Sequence, residues 1–381
     1  MQVLQIGKSW FPEDPGGLDR YFYDCIQNFP KIDIDVKGLV VGSSEVERDS
    51  LGLVRSFAPS DASLIHRWAG VRKQVREILD CSSNDYIITS HFALYTLPVL
   101  NLLGDRPLVI HFHGPWAFEG REEGNNALSM KVKLWIEQTC HKRAISFIVL
   151  SKAFQRILHQ DYGVPLEKIH IVPGGVDFEY FQTDFSQEDA RKRLSLETTR
   201  PTIVTLRRLT NRMGLENLIE AISKVKQQHP DILLCIAGRG PLENSLRQQI
   251  ETLGLNENVK LLGFVPDSQL VLLYKAANFS IVPTISFEGF GLVVIESLAS
   301  GTPVLGTPVG GIPEILKPFD SNLLMDGYEP TQIARAITDV LSGKRTLPDS
   351  ETCKSYVQEN YSWPIIAQKL KTIYMAALKT V

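Results

Sequence analysis

Short apolar runs alternate with amphipathic helical patterns along nearly the whole chain, and a sequence of that kind has few ways to fold. Runs at residues 3–6, 34–41, 86–89, 108–112, 147–150 and 169–172 predict strands. Helical periodicity lies between them at 17–29, 64–79, 128–143 and 152–160, the last with Ser151 as its N-cap. The pattern loosens into polar, charged sequence over 183–199. It then resumes with strands at 203–206, 232–237, 259–262, 279–282, 304–306 and 323–325, and with helices at 214–229 and 241–253. Strands alternating with helices imply parallel sheets covered on both faces. Two such series imply two doubly wound domains, expected over 1–182 and 183–363. A last helix, in the segment 364–381, is expected to pack back on the first domain. Ligands of such sheets bind beyond the carboxyl ends of the strands.

Composition narrows the partners. The 381 residues are 44% hydrophobic and 22% charged, enough apolar material for two cores. Lys plus Arg (40) nearly balances Asp plus Glu (43), so no overall field favours nucleic acid. Cys25, Cys81, Cys140, Cys235 and Cys353 include no CxxC pair, and their odd number suits a reducing cytoplasm. No apolar run approaches the ~18 residues that span a bilayer. The start, MQVLQIG, reads as a first strand rather than a signal peptide.

The stretch SFEGFGLVVIESLASG, Ser286–Gly301, carries Glu288 and Glu296 with seven residues between them. Gly289 and Gly291 allow close approach of backbone N–H groups to a ligand, and the helix that opens there favours a nearby anion. The glutamates have the wrong sign for phosphate, but a carboxylate is a good acceptor for paired sugar hydroxyls. At 1.5 Å per helical residue the two acids lie about 9–12 Å apart, roughly the span from one sugar across a diphosphate to another. Glu296 also sits among Leu292, Val293, Val294, Ile295 and Leu298, on a helix apolar nearly all round, where a carboxylate needs partners. A nucleotide-sugar accounts for both acids and for the glycines between them.

Together with PGG at Pro15–Gly17, HFHGPW at His111–Trp116, LSKAF at Leu150–Phe154, PGGVD at Pro173–Asp177, RRLTNRMGLENLI at Arg207–Ile219, AGRGP at Ala237–Pro241 and GFV at Gly263–Val265, this stretch resembles the retaining glycosyltransferases of the GT-B fold that carry an E-x7-E motif, glycosyltransferase family four. The resemblance covers nearly the whole chain. It implies two Rossmann-like domains facing across a cleft, the first binding acceptor and the second the nucleotide-sugar. It implies that Glu296 holds ribose hydroxyls and Glu288 those of the donor sugar. Amides of Phe290, Gly291 and Leu292 would cradle phosphate and the anomeric region. Gly238, Phe264 and Val265 would flank the base, and Gly16 and Gly17 would approach the donor phosphates. His113 would stand near the reacting centre, with His111 alternating beside it. The family pattern places an Arg and a Lys on the diphosphate. Arg208 matches the Arg, but Met213 occupies the Lys position, leaving Arg212 as the candidate second cation. Catalysis without a metal or other cofactor is implied, by front-face displacement. The DxD at Asp33 and Asp35 reads as the outward side of a strand, not as a metal site.

The acceptor is left open. Lys131, Lys133, Lys142, Arg143, Lys152 and Arg156 make one region basic. Lys152 and Arg156 are i,i+4 on a helix after a strand end and fit a phosphate-bearing acceptor such as fructose 6-phosphate, as in sucrose-phosphate synthases. Contact with anionic lipid and a lipid-linked or polysaccharide acceptor is the alternative, with GDP-mannose or a UDP-sugar as donor. UDP-glucose is the expected donor because it is the commonest in the family. A nicotinamide oxidoreductase fits worse, because Glu243 stands where the fingerprint in GRGPLE needs its third glycine. A catalytically silent sugar-binding module is the remaining contrast.

Overall fold

The computed structural model describes residues 1–80, 86–122 and 126–379. Cys81 and the last two residues of the 364–381 segment lie outside them. The chain divides into two compact units: Met1–Gly175 together with the segment that begins at Trp363, and Val176–Ser362.

The first unit is built on a seven-stranded sheet: β1 (Gln2–Ser9), β2 (Asp35–Val41), β3 (Val54–Ala58), β4 (Tyr86–Ser90), β5 (Leu108–Phe112), β6 (Ser146–Val149) and β7 (Ile169–Ile171). Their order is β3-β2-β1-β4-β5-β6-β7, and every pairing is parallel. β4, β5 and β6 are buried at every residue, as a sheet covered on both faces requires. Chain order reverses at β1 and β4, which lie side by side.

One face of this sheet is covered by the helices Gly17–Asn28 and Trp363–Leu378, which pack on each other. The second of them returns after 187 residues spent in the other unit. Trp363 fixes its start. The indole is 2% exposed, its ring lies 5.6 Å from that of Tyr21, and a Cβ on Gly175 would meet it at 2.9 Å. Glycine at 175 is thus the residue that lets the indole in.

The second unit carries five parallel strands: β8 (Thr202–Leu206), β9 (Leu233–Ala237), β10 (Val259–Gly263), β11 (Phe279–Val282) and β12 (Val304–Gly306). Their order is β10-β9-β8-β11-β12, so the reversal here falls between β8 and β11. The helix Leu215–Val225 lays Leu215, Leu218, Ile219, Ile222 and Val225 into the core at the spacing of one helical face.

Two local readings of the sequence fail. β3 is a strand that the pattern did not announce: its polar Arg55 and Ser56 lie on an edge strand with one neighbour, where outward polar residues cost nothing. Residues 323–325 do not make a sixth strand in the second sheet. Ser321–Leu323 is a 3-10 turn, and Leu324 makes one isolated bridge to Gly306. The carbonyls of Asn322 and Leu324 accept from Arg345 Nη1 at 3.0 Å each, which diverts them from a ladder. The four described cysteines are free and buried.

Trp363→Ala is expected to destabilise the protein by about 3–5 kcal/mol, read as a lower denaturant midpoint. An unchanged midpoint would show that the returning helix is held elsewhere.

Candidate active site

The turns at the carboxyl ends of β8 and β11 meet at the topological switch point of the second sheet, the place where ligands of open α/β sheets bind. Arg207 is the first residue after β8, and its amide donates to Ala237 O at 2.9 Å. Its guanidinium Nη2 donates both to Glu288 Oε2 and to Thr284 Oγ1, two residues of the turn after β11. Thr284 Oγ1 in turn donates to Glu288 Oε2 at 3.3 Å. The two charged side chains are only 6% and 13% exposed. Burial pushes the Glu288 carboxyl up. Arg207, by charge and hydrogen bond, then Arg212 and Thr284 outweigh that and hold it below its ordinary value. Glu288 is therefore an ionised acceptor at neutral pH, fixed in orientation.

Glycine makes this convergence of turns sterically feasible. A Cβ on Gly238 (φ 141°) would stand 1.9 Å from Arg207 O, and one on Gly310 (φ 58°) would stand 1.9 Å from Glu288 O. The Gly310–Gly311 turn closes on the acidic loop through Gly311 N–H to Glu288 O at 2.9 Å. Gly291 (φ 96°) is the N-cap of the helix Leu292–Ala299, and Phe287 holds φ 47°, a rare conformation for a bulky side chain. The Ser286–Gly291 loop is thus shaped from below by two glycine turns and capped by a third glycine.

The other second-unit candidates distribute around it. Glu296, half-buried on the first turns of Leu292–Ala299, accepts from Tyr274 Oη at 3.4 Å. The Phe290 ring is 3% exposed and lies 5.7 Å from that of Tyr361, so its side chain is structural and only its backbone faces the loop. Leu292 is half-buried at the helix start. Phe264, after β10, is 45% exposed with Arg239 stacked 5.3 Å over its ring, and Val265 is half-buried beside it. Arg212 Nη1 donates to Phe287 O at 3.0 Å, so this cation braces the loop by its backbone. Met213 is 7% exposed inside the apolar core, which explains why no cation stands there. Arg208 is exposed and forms no ion pair among the described residues. Arg207, which the motif left without a role, is the arginine that turns inward. The doublet gives no sign of which member does so.

The first unit presents its own switch point, between β1 and β4. Gly16 is the N-cap of Gly17–Asn28, and Gly17 is exposed in its first turn. Below that turn Asp19 is buried and accepts from Ser9 N at 3.0 Å, Ser9 Oγ at 3.0 Å and Lys8 Nζ at 3.1 Å. Lys8 is a cation that no motif marks. His113, just beyond β5, is partly exposed, whereas His111 is 2% exposed and bonded through Nε2 to Tyr374 Oη at 2.6 Å. His111 thus helps to dock the returning helix. Glu137 steadies the loop after His113. It accepts from Trp116 N at 3.1 Å, Ala117 N at 3.3 Å and Tyr162 Oη at 2.9 Å, and burial raises its pKa to about 7. Lys152 and Arg156 are exposed on the helix Lys152–Gln160, whose N-cap Ser151 accepts from Phe154 N at 3.2 Å. Asp33 and Asp35 are both exposed.

Residues 15–180 match the model described as Glycosyltransferase Family 4, and residues 186–363 match that described as Glycosyl transferases group 1. The chain belongs to the family 4 glycosyltransferases. This family 4 chain is 31% identical over 237 residues to an uncharacterized glycosyltransferase of Methanocaldococcus jannaschii, covering 61% of the chain and 60% of that relative. It is 27% identical over 267 residues to D-inositol 3-phosphate glycosyltransferase of Corynebacterium glutamicum, covering 68% and 63%. It therefore spans somewhat less than two thirds of the curated relatives it matches. HepE of Anabaena, solved in complex with UDP and glucose, superposes with a TM-score of 0.79 at 19% identity over 99% of this chain and 100% of that one. That likeness shows a GT-B fold.

Arg207→Ala leaves a buried carboxylate without its counter-charge and is expected to cost about 3–5 kcal/mol at pH 7. The sign of its pH dependence inverts. In the wild type, Glu288 contributes stability above its unfolded pKa, lost as pH falls through the depressed folded value. In the variant the Arg207 charge and hydrogen bond are gone, and burial, the largest influence, opposed only by Arg212 and Thr284, is expected to raise the pKa, so acidification recovers stability. Urea unfolding of both proteins between pH 7 and 4 reads the crossing trends.

Proposed function

We propose that this chain is a retaining glycosyltransferase that works without a metal and moves a hexose from a nucleoside-diphosphate sugar to an acceptor hydroxyl. The observation that carries the reading is the ionised, oriented Glu288 at the β8/β11 switch point, eight residues before Glu296 and beside Arg207 and Arg212. A carboxylate held by a guanidinium and a threonine is a poor nucleophile but a well-placed acceptor for sugar hydroxyls. The exposed Arg208 supplies a cation for negative charge developing on the leaving diphosphate, with the amides at the Leu292–Ala299 helix start. Glu296 would take the ribose, and Gly238, Phe264 and Val265 the base. In the first unit, Gly16 and Gly17 would approach the phosphates and His113 the sugar. UDP-glucose is the donor we assign. The acceptor we assign bears a phosphate, met by Lys152 and Arg156; the C. glutamicum relative is named for an inositol phosphate.

The decisive assay incubates the protein with UDP-glucose, GDP-mannose and other nucleotide-sugars, with fructose 6-phosphate and inositol phosphate among the acceptors. Released nucleoside diphosphate and product are then measured. UDP-glucose with a phosphorylated acceptor is expected to give product of retained anomeric configuration, unaffected by chelator. Arg208→Ala is expected to lower transfer about 10²-fold or more with an unchanged melting temperature, whereas Glu288→Gln is expected to lower transfer at least as far and also to lower the melting temperature, because it leaves the buried Arg207 without its counter-charge. Absence of turnover with every donor would remove the assignment.

A lipid-linked acceptor is favoured by a different observation. The helix Ala127–Arg143 exposes Leu128 (70%), Val132 (50%) and Trp135 (59%) on one face, beside Lys131 and Lys142. Such a face suits an anionic lipid surface. No helix among the described residues is long and apolar enough to cross a membrane. On this reading the protein floats with phosphatidylglycerol vesicles at low salt, and Trp135→Glu abolishes flotation; no flotation of the wild type rejects it.

A further inference from the structure

His91, immediately after β4, has no motif to mark it, yet it is buried at 3% exposure beneath His113. Its amide donates to Ile6 O at 2.9 Å, which pins it to the β1/β4 switch point. Its ring stacks on His111 (centroids 4.3 Å, planes 12° apart) and meets the edge of Phe22 at 5.3 Å. His91 Nδ1 lies 3.0 Å from His113 Nε2, while His91 Nε2 is buried without a hydrogen-bond partner.

We propose that His91 is a positioning residue: it donates from Nδ1 to His113 Nε2, which fixes the His113 proton on Nδ1 and turns that N–H toward the sugar to be transferred. The inference rests on the placing of His113 in the transfer site.

Proton counting at the contact supports this arrangement. Burial lowers the pKa of all three histidines, that of His113 to about 3, so each ring carries one proton at neutral pH. One proton lies in the His91–His113 contact. If His113 donated it, the His91 proton would sit on Nε2 as a buried N–H with no acceptor. If His91 donates, the orphan is only a lone pair. Stranding a buried donor costs its full desolvation, and orphaned donors are rarer in folded proteins than underused acceptors. The tautomer is therefore assigned from the hydrogen-bond pattern. A neutral His113 gives the sugar a hydrogen bond without placing a formal charge at the reacting centre.

A metal site is the rival for three such histidines, because ligating nitrogens of His91, His111 and His113 all lie within 4.8 Å of one another. The nitrogen lone pairs that bind a metal must converge from rings that radiate about one point. These rings are instead nearly parallel, at 12°, 16° and 22°: His91 lies face to face with His111 and points its Nδ1 edge at His113 Nε2, so the three do not radiate about one point.

The test uses the full chain labelled with ¹⁵N-histidine. Two-bond ¹H–¹⁵N correlations at pH 7 are expected to show His91 and His113 both protonated on Nδ1. A His113 proton on Nε2 overturns the proposal. Two variants then separate positioning from packing. His91→Phe keeps an aromatic ring but not the donor, and is expected to release the His113 tautomer and lower kcat about tenfold, the loss of one hydrogen bond, with little change in donor KM. His91→Asn offers its amide N–H near the Nδ1 position, and is expected to restore the tautomer and most of the rate. Equal loss in both variants with the His113 tautomer unchanged overturns the proposal. The tautomer readings need no substrate, so a wild type that turns over no nucleotide-sugar counts against the transferase reading alone. An active wild type with His113 protonated on Nε2 counts against this inference alone.

Discussion

A buried guanidinium–carboxylate pair organises the second unit. Arg207 and Glu288 come from turns 81 residues apart, and they meet because β8 and β11 are neighbours where chain order reverses. Two ions this little exposed are retained only if each satisfies the other and the remaining lone pairs find donors. Thr284 supplies one such donor, and the Arg212 charge adds to the field. With the pair in place, Glu288 cannot swing away, and the loop up to Gly291 inherits its fixed shape.

The surrounding backbone is arranged around that constraint. Gly238 and Gly240 let one turn lie against the main chain of Arg207 and Leu209, and Gly310 and Gly311 let another lie against Glu288 and Gly289. Any side chain at these glycines would push the turns apart by more than an ion pair tolerates. Arg212 completes the frame through the Phe287 carbonyl. Met213, at the position of the motif's missing lysine, belongs to the apolar core, and Arg212, one residue earlier, holds the loop by its backbone. The first unit has neutral histidines at its own switch point, bonded to each other and to Tyr374, in addition to the Lys8–Asp19 ion pair at the end of β1.

The second-unit loop was legible because its residues are unusual for their surroundings. A glutamate in an apolar helix and two glycines before it require an explanation in any fold. Most strands and helices were legible too, since buried parallel strands read as apolar runs. The misses share a cause. β3 carries polar residues because it is an edge, and residues 323–325 are apolar but the carbonyls of Asn322 and Leu324 go to Arg345. Lys8 and Asp19 belong to no motif, and only the folded turn brings them together.

By itself the sequence determined two parallel α/β units and, in the second, an acidic, glycine-rich loop at the start of an apolar helix. Periodicity and local composition depend on neighbours along the chain, and these are written in order. Only the tertiary structure decided that Arg207 rather than Arg208 turns inward, that Gly310 and Gly311 close on Glu288, and that His91 stands under His113. Each of those depends on which strand lies beside which, and strand adjacency is set by the packing of the whole sheet rather than by any segment of it.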